Sequence, residues 1–175
     1  MDRRLALGIV LFCIAAATAI VFVIATRDDS GGTVHENASE VEVDFAAAEA
    51  EAGFDLIVPG ALPDGLRVSE NVSVSKRSLT SGVELSEATF VVKGSGSAGG
   101  ATVIQTPGKA PIDPSRIFTE KSVGAYTVRF YAVPPENPNL RTAQFEHDGI
   151  TVTISGIVSA DFTDDDLMRL IESLA

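Results

Sequence analysis

The sequence has no tryptophan, two tyrosines, two methionines, two histidines and a single cysteine. With Cys13 alone, no disulfide can form within the chain, so any folded part depends on its own core. Cys13 follows Phe12 deep inside an apolar run, where a lipoprotein signal would need a small residue before the cysteine. Of the histidines, His35 falls in a polar stretch and His147 closes a strand beside a turn, so neither has a partner for base catalysis or metal ligation. No serine occupies a G-x-S-x-G elbow. No catalytic residue, cofactor or metal is therefore expected. Positive charge is also scarce: 13 Lys and Arg stand against 24 Asp and Glu, a net charge of −11, which makes nucleic acid a poor partner.

What the sequence does have is a long apolar run. Leu5 to Ala25 carries no charge and, as a helix rising about 1.5 Å per residue, matches a hydrocarbon layer of about 30 Å. Its length favours a retained anchor over a cleavable export signal ending at Val23-x-Ala25. Arg3 and Arg4 precede it, whereas Arg27 behind it is followed at once by Asp28 and Asp29. The positive-inside bias then keeps residues 1–4 in the cytoplasm and sends the rest outside a single-pass cell membrane protein. Residues 28 to 55 hold nine carboxylates and no Lys or Arg, while residues from 56 onward carry 14 acids and 10 bases. The domain reading is a cytoplasmic tail 1–4, a transmembrane helix 5–25, an acidic tether 26–43 and an extracytoplasmic domain 44–175.

Within that domain, Asp44 is placed to cap a short helix through "FAAAEAEAG", with Gly53 to stop it. "FDLIVPGALPDGLRV" then predicts a short strand ended by Pro59 and a turn at Pro63-Asp64-Gly65. Leu66, Val68, Val72 and Val74 recur at the strand period with Glu70 as the exception. Leu85 and the later Ala88, Phe90 and Val92 are out of phase, which predicts a bulge near Ser86 or Glu87. Gly94, Gly96 and Gly99 fit the G-x-G-x-x-G spacing of nucleotide-binding loops, but "ATVIQT" and Pro107 follow where that loop needs a helix. The glycines read as a flexible hairpin bend. Residues 107–122 read as an irregular crossover, and Asp148-Gly149 joins "LRTAQFEH" to "ITVTISGIV" as a hairpin.

The chain ends in "DFTDDDLMRLIESLA". Thr163 is the predicted cap, Asp164 to Asp166 fill the first turn, and Leu167, Leu170, Ile171 and Leu174 form one stripe. Asp161 and Asp164 to Asp166 lack calcium-loop spacing, so capping accounts for them better than a metal does. In "AYTVRFYAV", Arg129 and Tyr131 alternate away from Phe130 and are the candidate partner-facing residues.

This order of features resembles the actinobacterial membrane proteins grouped as domain of unknown function 4245. The resemblance rests on the Pro59 to Gly65 turn and the Gly149 to Gly156 strand and spans about residues 40 to 175. Where such relatives often carry tryptophan, Leu66 and Phe130 stand in. It implies a location and a fold rather than a reaction. The expected architecture is α+β: an N-terminal transmembrane helix, then an antiparallel sheet of about five to seven strands packed by the C-terminal helix. The expected role is a non-catalytic binding or interaction module of the cell envelope, anchored in the lipid bilayer through residues 5–25 and engaging an envelope protein. The alternative is a carrier of an apolar or lipid ligand in a sheet–helix cleft.

Overall fold

A computed structural model describes residues 39–78, 84–94, 96, 99–109 and 116–174. The apolar run 5–25, Cys13, His35 and the first part of the tether lie outside them. Among the described residues no helix is long and apolar enough to cross a membrane.

The described chain opens with β1 (Ser39–Asp44), whose last residue is also the cap of α1 (Phe45–Ala52). Asp44 Oδ1 accepts from the Ala47 N–H at 2.9 Å, and Gly53 closes the helix in the left-handed region at φ 77°. The strands β2 (Arg67–Val68), β3 (Asn71–Ser78), β4 (Glu84–Lys93) and β5 (Gly100–Pro107) follow. A second run comprises β6 (Phe118–Val123), β7 (Tyr126–Tyr131), β8 (Leu140–His147) and β9 (Ile150–Ile157), ending in α2 (Asp164–Ser173). All nine strands form one sheet in the order β1-β3-β4-β5-β9-β8-β7-β6, with β2 pairing β4, and every pairing is antiparallel. Two meanders are thus joined at the centre by β5 and β9, in register from Gly100↔Ile157 to Pro107↔Ile150.

Strand alternation divides the sheet into an apolar and a polar face. One continuous apolar row runs Phe90, Val103, Ile154, Ala143, Phe130 across five strands. Both helices lie on this face. Phe45 of α1 meets the Phe90 ring edge-on at 5.4 Å, and Phe162, at the entrance to α2, packs over Gly156 of β9. Leu167, Leu170, Ile171 and Leu174 are all buried there, each contributing roughly 1.5–3 kcal/mol before entropy is subtracted. Thr163 and Asp166 close a capping box at the start of α2, and Arg141 of β8 grips Asp164 at 2.8 Å.

Several expectations are corrected. The described residues form a sheet of nine strands rather than five to seven. Of the additional ones, β1 forms inside the stretch read as tether and β6 inside the stretch read as irregular crossover. Both are edge strands. β1 buries no residue fully and β6 only Val123, so the alternation that marks a strand is nearly absent from them. No bulge occurs at Ser86 or Glu87: β3 and β4 stay in register from Ser73↔Thr89 to Ser78↔Glu84, and Leu85 is left 47% exposed on the polar face. The Glu70 exception marks a real interruption between β2 and β3. There Ser69 Oγ accepts the Val91 N–H at 3.2 Å and donates to the Asn71 carbonyl at 2.8 Å.

"FDLIV" is not a strand either. Residues 54–58 form an extended strap on the helix side of the sheet, held by a side chain instead of a ladder. Gln105, fully buried in β5, accepts from the Ile57 N–H at 2.8 Å and donates through Nε2 to the Ile57 carbonyl at 2.6 Å. Its neighbours in that row are Ala88 and Val152, so a single amide supplies the polar contact that an otherwise apolar row lacks.

Candidate functional site

The polar face of the sheet carries no helix among the described residues. Across it runs a row of Thr89, Ile104, Thr153, Gln144, Arg129 and Glu120, one residue from each successive strand. Arg129 and Tyr131 both sit on this face, opposite Phe130, as alternation requires. Both are engaged. Arg129 Nε donates to Glu120 Oε1 at 3.1 Å, and the buried Tyr131 donates its hydroxyl proton to Gln144 Oε1 at 2.9 Å. Gln144 Nε2 in turn donates to Thr153 Oγ1 at 3.2 Å, which fixes the orientation of the amide.

Two residues that sequence reasoning passed over complete the cluster. The Arg116 guanidinium lies 4.0 Å above the centroid of the Tyr131 ring, and Phe118 meets the same ring edge-on at 6.0 Å. Arg129 reaches over Phe118 at 5.9 Å. The order is guanidinium, ring, ring, guanidinium, each cation–π contact being worth about 0.5–1 kcal/mol at an exposed site. Arg129 has Glu120, whereas no carboxylate pairs with Arg116 among the described residues. Beside Arg116, Ile117 is 77% exposed, and its carbonyl accepts from the Ala132 N–H at 2.9 Å. Val133, 43% exposed, follows directly. The Arg-x-Phe spacing at 116–118, which sets both side chains on one side of an extended chain leading into β6, was the available signal.

A second feature lies toward the other end of β7 and β8. A cleft of about 620 Å³ opens between the strap and the β8–β9 turn, with Phe54, Ile57 and Ile150 among its apolar walls and Asp55, His147 and Asp148 among its polar ones. Asp148 at φ 48° and Gly149 at φ 79° form that turn, both in the left-handed region. The Tyr126 hydroxyl stands behind it, 2.9 Å from the Leu174 carbonyl and 3.1 Å from His147 Nδ1. Burial, and secondarily the charge of Asp148, raise the Tyr126 pKa above the usual phenol value. The hydroxyl consequently acts as a hydrogen-bond donor rather than a base.

The other sequence motifs resolve into structural roles. Gly94, Gly96 and Gly99 lie in the β4–β5 hairpin, and the Gly94 N–H donates to the Gly99 carbonyl at 3.1 Å. They are more than a flexible bend: a Cβ on Gly94 would strike the Asp161 carbonyl, and one on Gly99 would meet Phe162 Cβ at 2.8 Å. Close approach of the 159–162 segment is what requires them. Asp164 and Asp166 are engaged with Arg141 and Thr163. The Asp166 pKa is lowered, chiefly because its carboxylate accepts the Thr163 N–H. Among the described residues no three His, Cys, Asp or Glu side chains converge as a metal site would need.

No protein-family model matches the chain, and neither a curated protein nor a solved structure is found to match it.

Proposed function

We propose that this chain is a membrane-anchored, extracytoplasmic interaction module of the cell envelope, akin to the actinobacterial family it resembles, and that it docks a protein partner through the sheet edge at the start of β6. The observation that carries the reading is the Arg116 guanidinium, held over Tyr131 with no carboxylate paired to it among the described residues, beside the exposed Ile117 and Val133. A cation bordered by apolar surface suits a partner that presents a carboxylate next to an aliphatic or aromatic side chain. It is a local cation on a chain of net charge −11. The membrane part of the proposal rests on residues 5–25 and their flanking charges. The carrier alternative is disfavoured by the filling between sheet and helices, where Phe90, Phe145, Phe162, Leu167 and Leu170 are all buried.

A photo-crosslinking side chain at Ile117, and another at Val41 on the opposite edge, test the reading in intact cells. A discrete protein adduct at position 117, absent at 41 and lost on Arg116→Glu, is expected. Adducts at both positions, lipid adducts alone, or insensitivity to Arg116→Glu would refute it.

A further inference from the structure

The cleft between the strap and the β8–β9 turn has carboxylates in its walls, Asp55 and Asp148, and no basic chain of lysine or arginine among its described lining. The tautomer of a neutral His147 follows from counting protons. Tyr126 has one hydroxyl proton and donates it to the Leu174 carbonyl at 2.9 Å. Its oxygen, 3.1 Å from His147 Nδ1, then forms a hydrogen bond there only if Nδ1 carries a proton. In the neutral ring this fixes the Nδ1–H tautomer and leaves Nε2 with a bare lone pair. That lone pair is 3.6 Å from Asp148 Oδ2. Two acceptors this close, with no proton between them, repel each other, and a donor shared by both relieves the repulsion.

We propose that this cleft binds a small amphiphilic amine, its primary ammonium shared by His147 Nε2 and the Asp148 carboxylate and its alkyl part lying against Phe54, Ile57 and Ile150. The volume of about 620 Å³ falls within the roughly 300–1,000 Å³ of small-molecule sites. Asp55 adds a second negative charge, so anionic amphiphiles are repelled while cations are drawn in. The site is separate from the Arg116 surface, and its ligand carries the opposite charge.

The test is an NMR titration of the full-length protein at about pH 8 with hexylammonium, hexanoate and hexanol, reading the amides of Ile57, Asp148 and Ile150. Saturable shifts with hexylammonium, absent with hexanoate and much weaker with hexanol, are expected. Asp148→Asn removes the charge but keeps a residue that tolerates the φ of 48°, so the turn survives; it is expected to weaken binding about tenfold or more. His147→Phe, which keeps a ring but no acceptor, is expected to do the same. The proposal is overturned by no saturable response, by equal responses to hexanol or hexanoate, or by Asp148→Asn and His147→Phe proteins that fold and bind as the parent does.

Discussion

Replacing Gln105 by leucine separates the polar role of this residue from its volume. The side chain is fully buried, and its amide supplies one acceptor and one donor to the backbone of Ile57, at 2.8 and 2.6 Å. Leucine leaves both backbone groups without that partner beneath the strap, at about 1–3 kcal/mol each. The added apolar burial returns about 1 kcal/mol, so the net loss is expected at roughly 1–5 kcal/mol. For a domain of this size that lowers the unfolding midpoint by about 4 °C per kcal/mol, measurable by circular dichroism. Amide exchange at Ile57 should rise more than exchange in β9, because the strap is released before the sheet opens. Gln105→Glu adds a second arm. A protonated carboxyl reproduces the donor and acceptor, whereas an ionised one cannot donate to the Ile57 carbonyl and bears a buried charge. Its destabilisation should therefore be largest at neutral pH and shrink as the solution is acidified toward the ordinary glutamate range. A Gln105→Leu protein that melts at or above the parent temperature, with unchanged Ile57 exchange, refutes the reasoning.

Three further outcomes are expected. Asp166→Ala should cost about 1 kcal/mol at neutral pH; because the Asp166 pKa is lowered by folding, the difference from the parent should disappear as pH falls through that lowered value, in denaturation curves taken from neutral pH downward. Glu87 behaves with the opposite sign: burial raises its pKa against the weaker effects of Arg77 and Thr89, so folding favours its proton and stability declines as pH climbs from the usual carboxylate value through the raised one. Glu87→Gln should accordingly stabilise at neutral pH and give no gain at acid pH; a uniform effect across that window contradicts the assignment. Gly94→Ala should lower stability by about 1–3 kcal/mol, because its new methyl meets the Asp161 carbonyl, and an unchanged urea midpoint would show that the 159–162 segment yields freely.

The parts of this fold readable from the chain are those where local chemistry and tertiary need agree. Thr163 with Asp166, Asp44 with Gly53, and Asp148-Gly149 each satisfy backbone groups within a few residues, and the C-terminal stripe buries the residues its spacing selects. Legibility failed where the determinant is distant. Edge strands β1 and β6 each have only one hydrogen-bonded neighbour in the sheet, which leaves them short of apolar side chains. The strap reads as a strand because Leu56 and Ile57 are apolar, yet its backbone partner is a side chain 48 residues away. At the candidate surface, alternation located Arg129 and Tyr131 but not their occupation by Glu120 and Gln144. Arg116, which has no paired carboxylate among the described residues, precedes β6, and only the Arg-x-Phe spacing hints at its place over Tyr131.

The central position of β5 bears on how the chain is made. Gly100 finds Ile157, and Pro107 finds Ile150, only after the intervening residues have left the ribosome. Until then "ATVIQT" is the unprotected margin of a half-built sheet, rich in β-branched residues and without a charge. Before β9 is made, two such margins on neighbouring molecules are free to zip together. Lesions in β9 should thus show themselves first as insoluble protein and only second as a lowered melting point.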